Sequence, residues 1–287
     1  MRLIQRKKSF LGMNPKYHDS RVLIQPVAYD RNMSWHKGAK HGPMAILEAS
    51  LRLEEYDLET DVALTDLCIY TDRAIKSNSS EEQLTAHLRK VIQRHLRNGK
   101  YVCTLGGSHS VSIGPILAHN DHFKDFSVLQ VDAHTDFRSR YMGSRYNHAC
   151  VMNILKQEGI SIIQVGISSH SLSEKDKINS ARIVYSKDIH NKEQWISSVI
   201  SLCTNNVYVT FDVDAFDPSI MPSTGTPEPG GITWNDACTL VRELSLQRNI
   251  VGFDMVELCP IKKNWAPDFM IAKLVMKFFV YQYDKLR

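Results

Sequence analysis

The hydrophobic pattern of the chain alternates between short apolar runs and longer segments with a helical repeat. Most of the short runs are nearly continuous in β-branched or other apolar residues, which is typical of parallel strands buried on both faces. The predicted strands are Val22–Ala28, Tyr101–Leu105, Ser127–Asp132, Ile162–Ile167, Ile183–Tyr185, Val207–Asp212 and Ile250–Val256.

Segments between these strands carry apolar residues at the spacing of one helix face. The clearest is Glu81–Arg97, which has a single apolar stripe and is followed by Gly99 as a stop signal. Further helices are predicted near Pro43–Leu53, Ser110–His119, Ala149–Gln157, Lys192–Leu202, Trp234–Leu246 and Pro267–Tyr281.

The repeated order of strand, helix and strand predicts an α/β fold with one open, mostly parallel central sheet. Helices on both faces of that sheet would give three layers, α/β/α. The chain shows no internal repeat, no low-complexity linker and no composition shift that marks a boundary. We therefore expect a single domain over residues 1–287.

The composition is that of an ordinary soluble globular protein, with 43% hydrophobic and 23% charged residues. The net charge is +4 and the basic residues are spread along the chain, so nucleic acid is not an expected partner. No stretch approaches the ~20 consecutive apolar residues of a membrane helix, so no membrane association is expected.

The six cysteines form no CxxC pair, and most lie in apolar runs. They are interpreted as reduced core residues of a cytoplasmic protein. The basic start, MRLIQRKKSFLG, faintly resembles a transit peptide, but no long amphipathic segment rich in Arg and Ser follows. A solvated or packed terminal arm is the preferred interpretation.

Polar clusters follow four of the predicted strands. Ligands of open α/β sheets bind beyond the carboxyl ends of the strands, so clusters distant in sequence can meet there. The segments concerned are Gly106–Ser110, Asp132–Asp136, Asp212–Asp217 and Glu257. We expect them to converge on one crevice.

Two of these clusters are rich in acids at alternate positions. Asp132, His134 and Asp136 alternate in DAHTD, and Asp212 and Asp214 alternate in FDVD. If the chain stays extended there, the period of two puts each set on one side. So many ionisable groups in one pocket would repel one another unless cations lay between the carboxylates. The alternative is unrelated acids in surface loops, because a lone DxD is common.

The third cluster is GGSHS, in which a glycine pair allows a tight turn after a strand. A phosphate-binding loop is the obvious rival, but no lysine follows and the GxGxxG spacing is absent. A lone histidine here would more often be structural. His109 becomes a candidate metal ligand because two acidic clusters are expected beside it.

Together these motifs resemble the ureohydrolase family of agmatinases, arginases and related guanidino hydrolases. GGSHS, DAHTD, His148, FDVDAFDP, GTPEPGG and VGFDMVEL occur in the family's order, and the resemblance covers nearly the whole chain. It implies the arginase-like fold. Two positions depart from the family pattern. Ser108 stands where an acidic residue is usual, and Cys150 stands where many members have glycine or a small hydroxyl residue.

The resemblance implies two Mn²⁺ ions per chain. One would be bound by His109, Asp132, Asp136 and Asp212, and the other by Asp132, His134, Asp212 and Asp214, with Asp132 and Asp212 bridging. The donor set agrees independently, because an oxygen-rich site with two imidazoles and no thiolate favours Mn²⁺ or a similar hard ion over structural zinc.

The resemblance also implies the reaction, which is hydrolysis of a guanidino compound to urea and an amine. A two-metal site makes hydroxide available near neutral pH, and its slightly negative total charge favours a guanidinium. The family pattern makes Asp136 a proton carrier, His148 a proton shuttle and Glu257 the carboxylate that binds the guanidinium. Otherwise His148 is a solvent-contacting loop histidine and Glu257 an acid that merely follows a strand.

The substrate depends on the loop FRSRYMGSRYN, residues 137–147, which resembles the short loop of compact agmatinases. Agmatine, hydrolysed to putrescine and urea, is therefore the expected substrate. Arginine or a guanidino acid is the alternative, because Arg138, Arg140 or Arg145 could bind a substrate carboxylate. These arginines could instead make structural or subunit-interface salt bridges, which we favour.

Two other classes of function remain open. A deacetylase-like amide hydrolase shares the fold but uses one zinc ion, and a non-catalytic regulatory homologue would have no reason to keep six buried ligands. The resemblance further implies a homo-oligomer, a trimer or hexamer.

Overall fold

A parallel sheet of nine strands dominates the part of the chain that the structure describes. The structure is a computed structural model and describes residues 9–189 and 194–287. Residues 1–8, most of the predicted terminal arm, lie outside the described residues, as does Lys192 at the start of one predicted helix.

The strands, numbered in chain order, are β1 (Val22–Ala28), β2 (Tyr56–Asp57), β3 (Val62–Ala63), β4 (Tyr70–Thr71), β5 (Ile75–Lys76), β6 (Tyr101–Gly106), β7 (Phe126–Val131), β8 (Ser161–Ile167), β9 (Ile183–Tyr185), β10 (Asn206–Asp212) and β11 (Asn249–Val256). The main sheet has the order β4-β1-β6-β11-β10-β7-β8-β9, with β5 also pairing with β1, and every pairing is parallel. Only β2 and β3 form a separate antiparallel pair among the described strands.

The helices are α1 (Gly42–Ser50), α2 (Glu81–Arg97), α3 (Ile113–His122), α4 (Val151–Gln157), α5 (Ser186–Ile189), α6 (Trp195–Leu202), α7 (Trp234–Gln247), α8 (Ala266–Val280) and α9 (Tyr283–Leu286). α2, α3 and α4 pack in succession on one another, and α1, α8, α7 and α6 form a second series. Helices thus flank the central sheet, which confirms the predicted fold class.

The central strands send alternate side chains into different parts of the core. On β7, Leu129 and Val131 join the largest hydrophobic cluster, whereas Phe126 and Val128 join a second cluster. Strand side chains alternate between the two faces of a sheet, so both faces of β7 are buried in apolar surroundings. This explains why the central strands are almost continuously hydrophobic.

Local signals fix several element boundaries. α2 begins after Ser80, whose hydroxyl accepts from the Gln83 amide while the Gln83 side chain accepts from the Ser80 amide. It ends before Gly99, which has φ +70°. The bounds of α2 therefore agree with the sequence prediction, and β1 agrees equally well.

Other boundaries differ from the prediction. The helix predicted from Ser110 begins as a 3-10 turn at His109–Ser112 and becomes α3 only at Ile113, and Ala149 likewise lies in a 3-10 turn ahead of α4. Sequence analysis missed β2, β3, β4, β5, α5 and α9. These elements have two to four residues, too few to show a hydrophobic period.

All six cysteines are free. Four of them are buried, as predicted, but Cys259 is half-buried and Cys68 is exposed, so the prediction was wrong for Cys68. Within the described residues, no helix is long and apolar enough to cross a membrane.

Candidate active site

The polar clusters meet at the carboxyl ends of four neighbouring strands. β6, β11, β10 and β7 are adjacent in the sheet, so the segments that follow them share one edge. They line a cleft of about 280 Å³. The predicted site residues that line it are His109, Asp132, His134, Asp136, His148, Asp212, Asp214 and Glu257.

The route by which DAHTD and FDVD reach the cleft differs from the prediction. β7 ends at Val131, and the Asp132 carboxylate folds back to accept from the His134 amide at 2.6 Å. The Asp212 carboxylate accepts from the Asp214 amide at 2.9 Å in the same way. Both segments are thus tight turns capped by an aspartate rather than extended strand, so the period-two argument was wrong although the side chains do converge.

Two candidate catalytic carboxylates lie in left-handed backbone conformations. Asp136 has φ +53° and Glu257 has φ +65°. Such conformations cost non-glycine residues about 1–3 kcal/mol and persist where the surroundings enforce them. At Glu257 the amide donates to the Gly107 carbonyl at 2.7 Å and the carboxylate accepts from the His109 amide at 2.7 Å. Glu257 therefore also fixes the turn that presents His109.

The glycine pair of GGSHS is required by close packing. A Cβ atom on Gly107 would overlap the Tyr29 carbonyl oxygen, and the next amide, of Ser108, donates to that oxygen at 2.7 Å. Ser108 is buried, and its hydroxyl caps the turn by accepting from the Ser110 amide. The first departure from the family pattern thus supplies a helix cap.

His109 faces three carboxylates. Its Nδ1 lies 3.1 Å from Asp132 Oδ2, 3.0 Å from Asp136 Oδ2 and 3.3 Å from Asp212 Oδ2, yet it makes no hydrogen bond of acceptable geometry. Its Nε2 is occupied on the other side by the Thr210 hydroxyl, at 2.9 Å. One ring nitrogen and three carboxylate oxygens therefore surround a common point.

His134 takes part in a second arrangement. Its Nδ1 lies 2.9 Å from Asp214 Oδ2 and 3.8 Å from Asp132 Oδ1. The geometry yields two groups that could each hold a metal ion, one of His109, Asp132 and Asp212 and one of Asp132, His134 and Asp214. Asp132 belongs to both groups, as a bridging ligand would.

The charges of this site are not balanced by the protein itself. Burial, followed by the Asp214 and Asp136 carboxylates, raises the pKa of Asp132 to about 7. Burial raises the pKa of Glu257 to about 8, and burial with Asp214 and Asp132 raises that of Asp212 well above its usual value. Asp214 differs, because His134 and the Ala133 amide outweigh burial and lower its pKa. Burial thus disfavours the charged forms of Asp132, Asp212 and Glu257, whose surroundings supply too little counter-charge.

The two histidines carry part of the opposite charge. Burial opposes protonation of His134, but Asp214 and other carboxylates raise its pKa to about 11. The same balance raises the pKa of His109 well above its usual value. Among the described residues, no lysine or arginine pairs with Asp132, Asp136, Asp212 or Asp214. The donor set therefore fits divalent cations.

His148 stands at the wall of the cleft. Its Nε2 lies 2.8 Å from the Ser34 hydroxyl, its ring packs edge-on against Tyr141 at 5.7 Å, and its buried Nδ1 makes no hydrogen bond within the described chain. Burial lowers the pKa of His148 to about 4, against the opposing field of Asp136. The ring is half-buried and lines the cleft, so His148 contacts both the protein interior and the cleft. Cys150 behind it is buried, and its amide donates to Asn147.

The three loop arginines occupy different positions. Arg140 donates to the Gly143 carbonyl at 2.8 Å and Arg145 to Gln157 at 2.9 Å, so both stabilise the loop and its surroundings. Arg138 lines the cleft, where it lies 3.9 Å from Glu174 and stacks over the Tyr141 ring.

Sequence reasoning missed several residues that support the site. Gln130 donates to Asp132 Oδ2 at 2.6 Å, and Thr210 meets His109. Thr210 shares a strand face with Asp212, and Gln130 on β7 lies two positions before Asp132, so this spacing is a signal that could have found them. Glu174 accepts from the Thr135 hydroxyl and the Phe137 amide, and no local pattern announces it.

Comparison with known proteins places this arrangement in a family. The arginase family model matches residues 20–280. The N(1)-aminopropylagmatine ureohydrolase of Synechocystis sp. is 34% identical over 275 residues, covering 92% of this chain and 90% of that protein. An agmatinase of Pyrococcus horikoshii is 30% identical over 261 residues, covering 90% of each.

A solved structure agrees with these sequence relationships. The crystal structure of agmatine ureohydrolase of Thermoplasma volcanium superposes with a TM-score of 0.88 at 29% identity, covering 98% of this chain and 97% of that one. The sequence match and the fold extend over nearly the full length together. The chain therefore belongs to the arginase family.

Proposed function

We propose that this protein is a two-metal hydrolase that splits a cationic guanidino compound into urea and an amine. The proposal rests above all on His109, whose Nδ1 faces three carboxylates at 3.0–3.3 Å without a hydrogen bond. One ion would be held by His109, Asp132, Asp136 and Asp212, and the other by Asp132, His134, Asp212 and Asp214. Mn²⁺ suits this donor set, since hard oxygen ligands outnumber nitrogen and no thiolate takes part.

Bound divalent ions would lower the pKa of water and so supply hydroxide near neutral pH. The side chains around them divide the remaining work. Glu257 at the floor of the cleft binds the guanidinium by charge and hydrogen bonding. Asp136 lies beside the reacting group and carries the proton to the leaving amine, and His148 exchanges protons with solvent at the wall.

The substrate is proposed to carry a second positive charge and no carboxylate. Among the described residues that line the cleft, Arg138 is the one lysine or arginine. Its guanidinium already lies 3.9 Å from Glu174 and stacks over the Tyr141 ring. A substrate carboxylate would therefore have to compete with Glu174 for this guanidinium, which penalises arginine and guanidino acids.

The rim favours an extended amine. Trp35 lines the cleft with 67% of its surface exposed, and an indole face attracts an ammonium group. Glu228 lies beside the cleft, 3.7 Å from His134 Nε2. Agmatine is the simplest substrate of this kind. N(1)-Aminopropylagmatine, named for the 34% identical relative, would use the rim more fully and is the second candidate.

The decisive experiment measures urea release by chelator-treated protein before and after addition of Mn²⁺. Agmatine, N(1)-aminopropylagmatine, arginine and guanidinobutyrate are compared by kcat/KM. Activity restored by Mn²⁺ and directed at the two amines is expected. If the metal-loaded protein releases no urea from any guanidino compound, the protein is a non-catalytic homologue. If it binds one zinc ion per chain and cleaves amides, it belongs to the deacetylase class.

The arginines sharpen the choice of substrate. Arg145→Ala serves as the control for Arg138→Ala, because Arg145 lies in the same loop but donates to Gln157 instead of lining the cleft. Neither variant should abolish turnover of the preferred substrate. If the wild type prefers a guanidino acid and Arg138→Ala abolishes its turnover, the amine substrate is wrong and the hydrolase chemistry survives.

His148 provides a separate test of the proton path. His148→Ala should lower kcat by about 10²–10⁴-fold, the usual cost of losing a general acid–base group. Metal content should stay at the wild-type value, because His148 is not a proposed ligand. A kcat within twofold of wild type contradicts the shuttle role. The family's oligomeric state, a trimer or hexamer, is proposed for this chain and is tested by native mass spectrometry.

A further inference from the structure

A continuous chain of hydrogen bonds runs through the sheet behind His109. His109 Nε2 meets Thr210 Oγ1 at 2.9 Å, and the Thr210 hydroxyl donates to Asp254 Oδ1 at 2.7 Å. The Tyr208 hydroxyl donates to the other oxygen, Asp254 Oδ2, at 2.9 Å. All four residues are at most 1% exposed. A carboxylate and three polar groups are therefore sealed inside the sheet and satisfy one another.

The geometry of the strands makes this chain possible. Tyr208, Thr210 and Asp212 alternate on β10, so they share one face of the sheet. Asp254 stands directly opposite Thr210 on the neighbouring strand β11. A threonine and an aspartate could satisfy each other in this way without involving the active site. The link to His109 is what connects the pair to the proposed metal centre.

The direction of the hydrogen bonds sets the tautomer of His109. Thr210 has one hydroxyl proton and gives it to Asp254, so Thr210 Oγ1 must accept from His109 Nε2–H. The neutral imidazole then has its lone pair on Nδ1, the atom that faces Asp132, Asp136 and Asp212. A metal ligand needs this arrangement.

We propose that Thr210 and Asp254 are positioning residues, which hold His109 in the tautomer and orientation that present Nδ1 to one of the two metal ions. The inference rests on the proposed function and concerns only one side of the centre. Within residues 9–189 and 194–287, His134 has no comparable support, since the carboxylate that its Nε2 approaches is Glu228 at 3.7 Å, beyond hydrogen-bond distance, and its side chain is 28% exposed.

The test removes the hydroxyl of Thr210 while keeping its shape. In Thr210→Val, His109 Nε2–H loses its acceptor, so the ring is no longer held with Nδ1 directed at the three carboxylates and presents a poorer ligand to a metal ion. Mn²⁺ is titrated into chelator-treated protein, and stoichiometry and affinity are measured by calorimetry. One of the two ions should bind about 10–100-fold more weakly, the usual effect of losing such a support.

Two matched variants separate positioning from packing. Thr210→Ser keeps the hydroxyl and should retain wild-type affinity for both ions. Tyr208→Phe removes only the outermost bond, leaves Thr210 on Asp254, and should change either affinity by less than about threefold. If Thr210→Val does not fold, Thr210→Ala also removes the hydroxyl, adds no bulk, and carries the same expectation.

The outcomes are distinguishable. Unchanged affinity for both ions in Thr210→Val overturns the positioning role, and so does an equal loss at both sites that follows a lower Tm of the metal-free protein. If the wild type itself binds no Mn²⁺, the proposed metal centre fails and this inference fails with it. Selective loss of one ion, restored in Thr210→Ser, supports the proposal.

Discussion

Two carboxylate clusters in this protein, each built around a buried aspartate, balance their charge in different ways. In the first, Asp57 and Glu59 lie beside α8, where Lys277 Nζ is 2.7 Å from Asp57 Oδ1 and 2.6 Å from Glu59 Oε2. Tyr281 also donates to Glu59. Burial works against ionisation of Asp57, but hydrogen bonds from Lys277 and Thr60 hold its pKa below the usual value. This cluster carries its own cation.

The second cluster is the candidate active site, where the described protein offers imidazoles but neither lysine nor arginine to the four aspartates. Asp132 and Asp57 are both almost inaccessible to solvent, but Asp57 lies near the protein surface, whereas burial and the acidic neighbours of Asp132 raise its pKa to about 7. The comparison teaches that burial of an aspartate does not decide its charge. A buried acidic cluster whose only basic partners among the described residues are two imidazoles needs further counter-charge from outside the chain, which divalent ions could supply.

The largest expected effect comes from removing a shared carboxylate. Asp132→Ala should lower kcat/KM by about 10³-fold or more, because it removes a donor common to both groups and with it several kcal/mol of charge stabilisation. Asp214→Ala removes a donor of one group and should be less severe. Urea release and bound metal per chain are measured for both variants.

Asp57→Asn is the control from the other cluster. It should lower the Tm while leaving kcat/KM of the folded protein and its metal content unchanged. If Asp57→Asn loses metal, or if Asp132→Ala retains both metal and activity, the distinction between the two clusters is incorrect.

The next effect in size is structural. Lys277→Met leaves Asp57 buried without its cation and should destabilise the protein by about 3 kcal/mol, the lower end for a broken buried pair, because Glu59 can turn toward water. A Tm lower by about 6 °C follows for a chain of this length. Thermal unfolding of the metal-loaded protein measures it.

Lys273→Met is the matched control on the same helix. Lys273 lies 4.0 Å from Asp57 and is 28% exposed, so its loss should cost far less. Equal destabilisation by the two substitutions would mean that general charge on α8, rather than the close pair, holds Asp57.

The smallest predicted effect is the pH dependence of stability. A rise in pH should lower the contribution of the active-site cluster to stability, whereas a fall in pH should lower that of the Asp57 cluster. The pKa of Asp132 is raised to about 7 and that of Glu257 to about 8 by burial. Their contribution to stability is therefore complete below the unfolded values of about 4 and is lost as the pH rises through 7–8. The lowered pKa of Asp57 instead gives stability that is lost as the pH falls below about 4.

Thermal unfolding of chelator-treated protein between pH 4 and 8 measures this difference. The Tm of the metal-free protein should fall by several degrees toward pH 8, and saturating Mn²⁺ should remove the decline. A metal-free Tm that rises steadily over this range would contradict the raised pKa values in the catalytic cluster.

Local sequence patterns were sufficient to predict much of the fold and to identify the residues that line the site. The apolar stripe of α2, closed by Gly99, predicted its bounds, and the buried runs predicted β1 and the central strands. Every residue proposed as a ligand from DAHTD, FDVD and GGSHS lines the cleft. Their geometry was not predictable, because Asp132 and Asp212 cap tight turns and Asp136 takes a positive φ.

The sequence by itself determined which chemistry-bearing residues follow which strands. The hydrophobic period and the order of the strands along the chain can both be read from the sequence. Only the tertiary structure decided how those residues are partnered. It set Lys277 against Asp57, more than two hundred positions away in the chain, and Thr210 opposite Asp254 on the adjacent strand. It also left Asp132 and Asp212 without a lysine or arginine partner among the described residues. Such pairings depend on strand register and helix packing, which no local pattern encodes, and they decide where the protein holds its own counter-charge and where it requires metal ions.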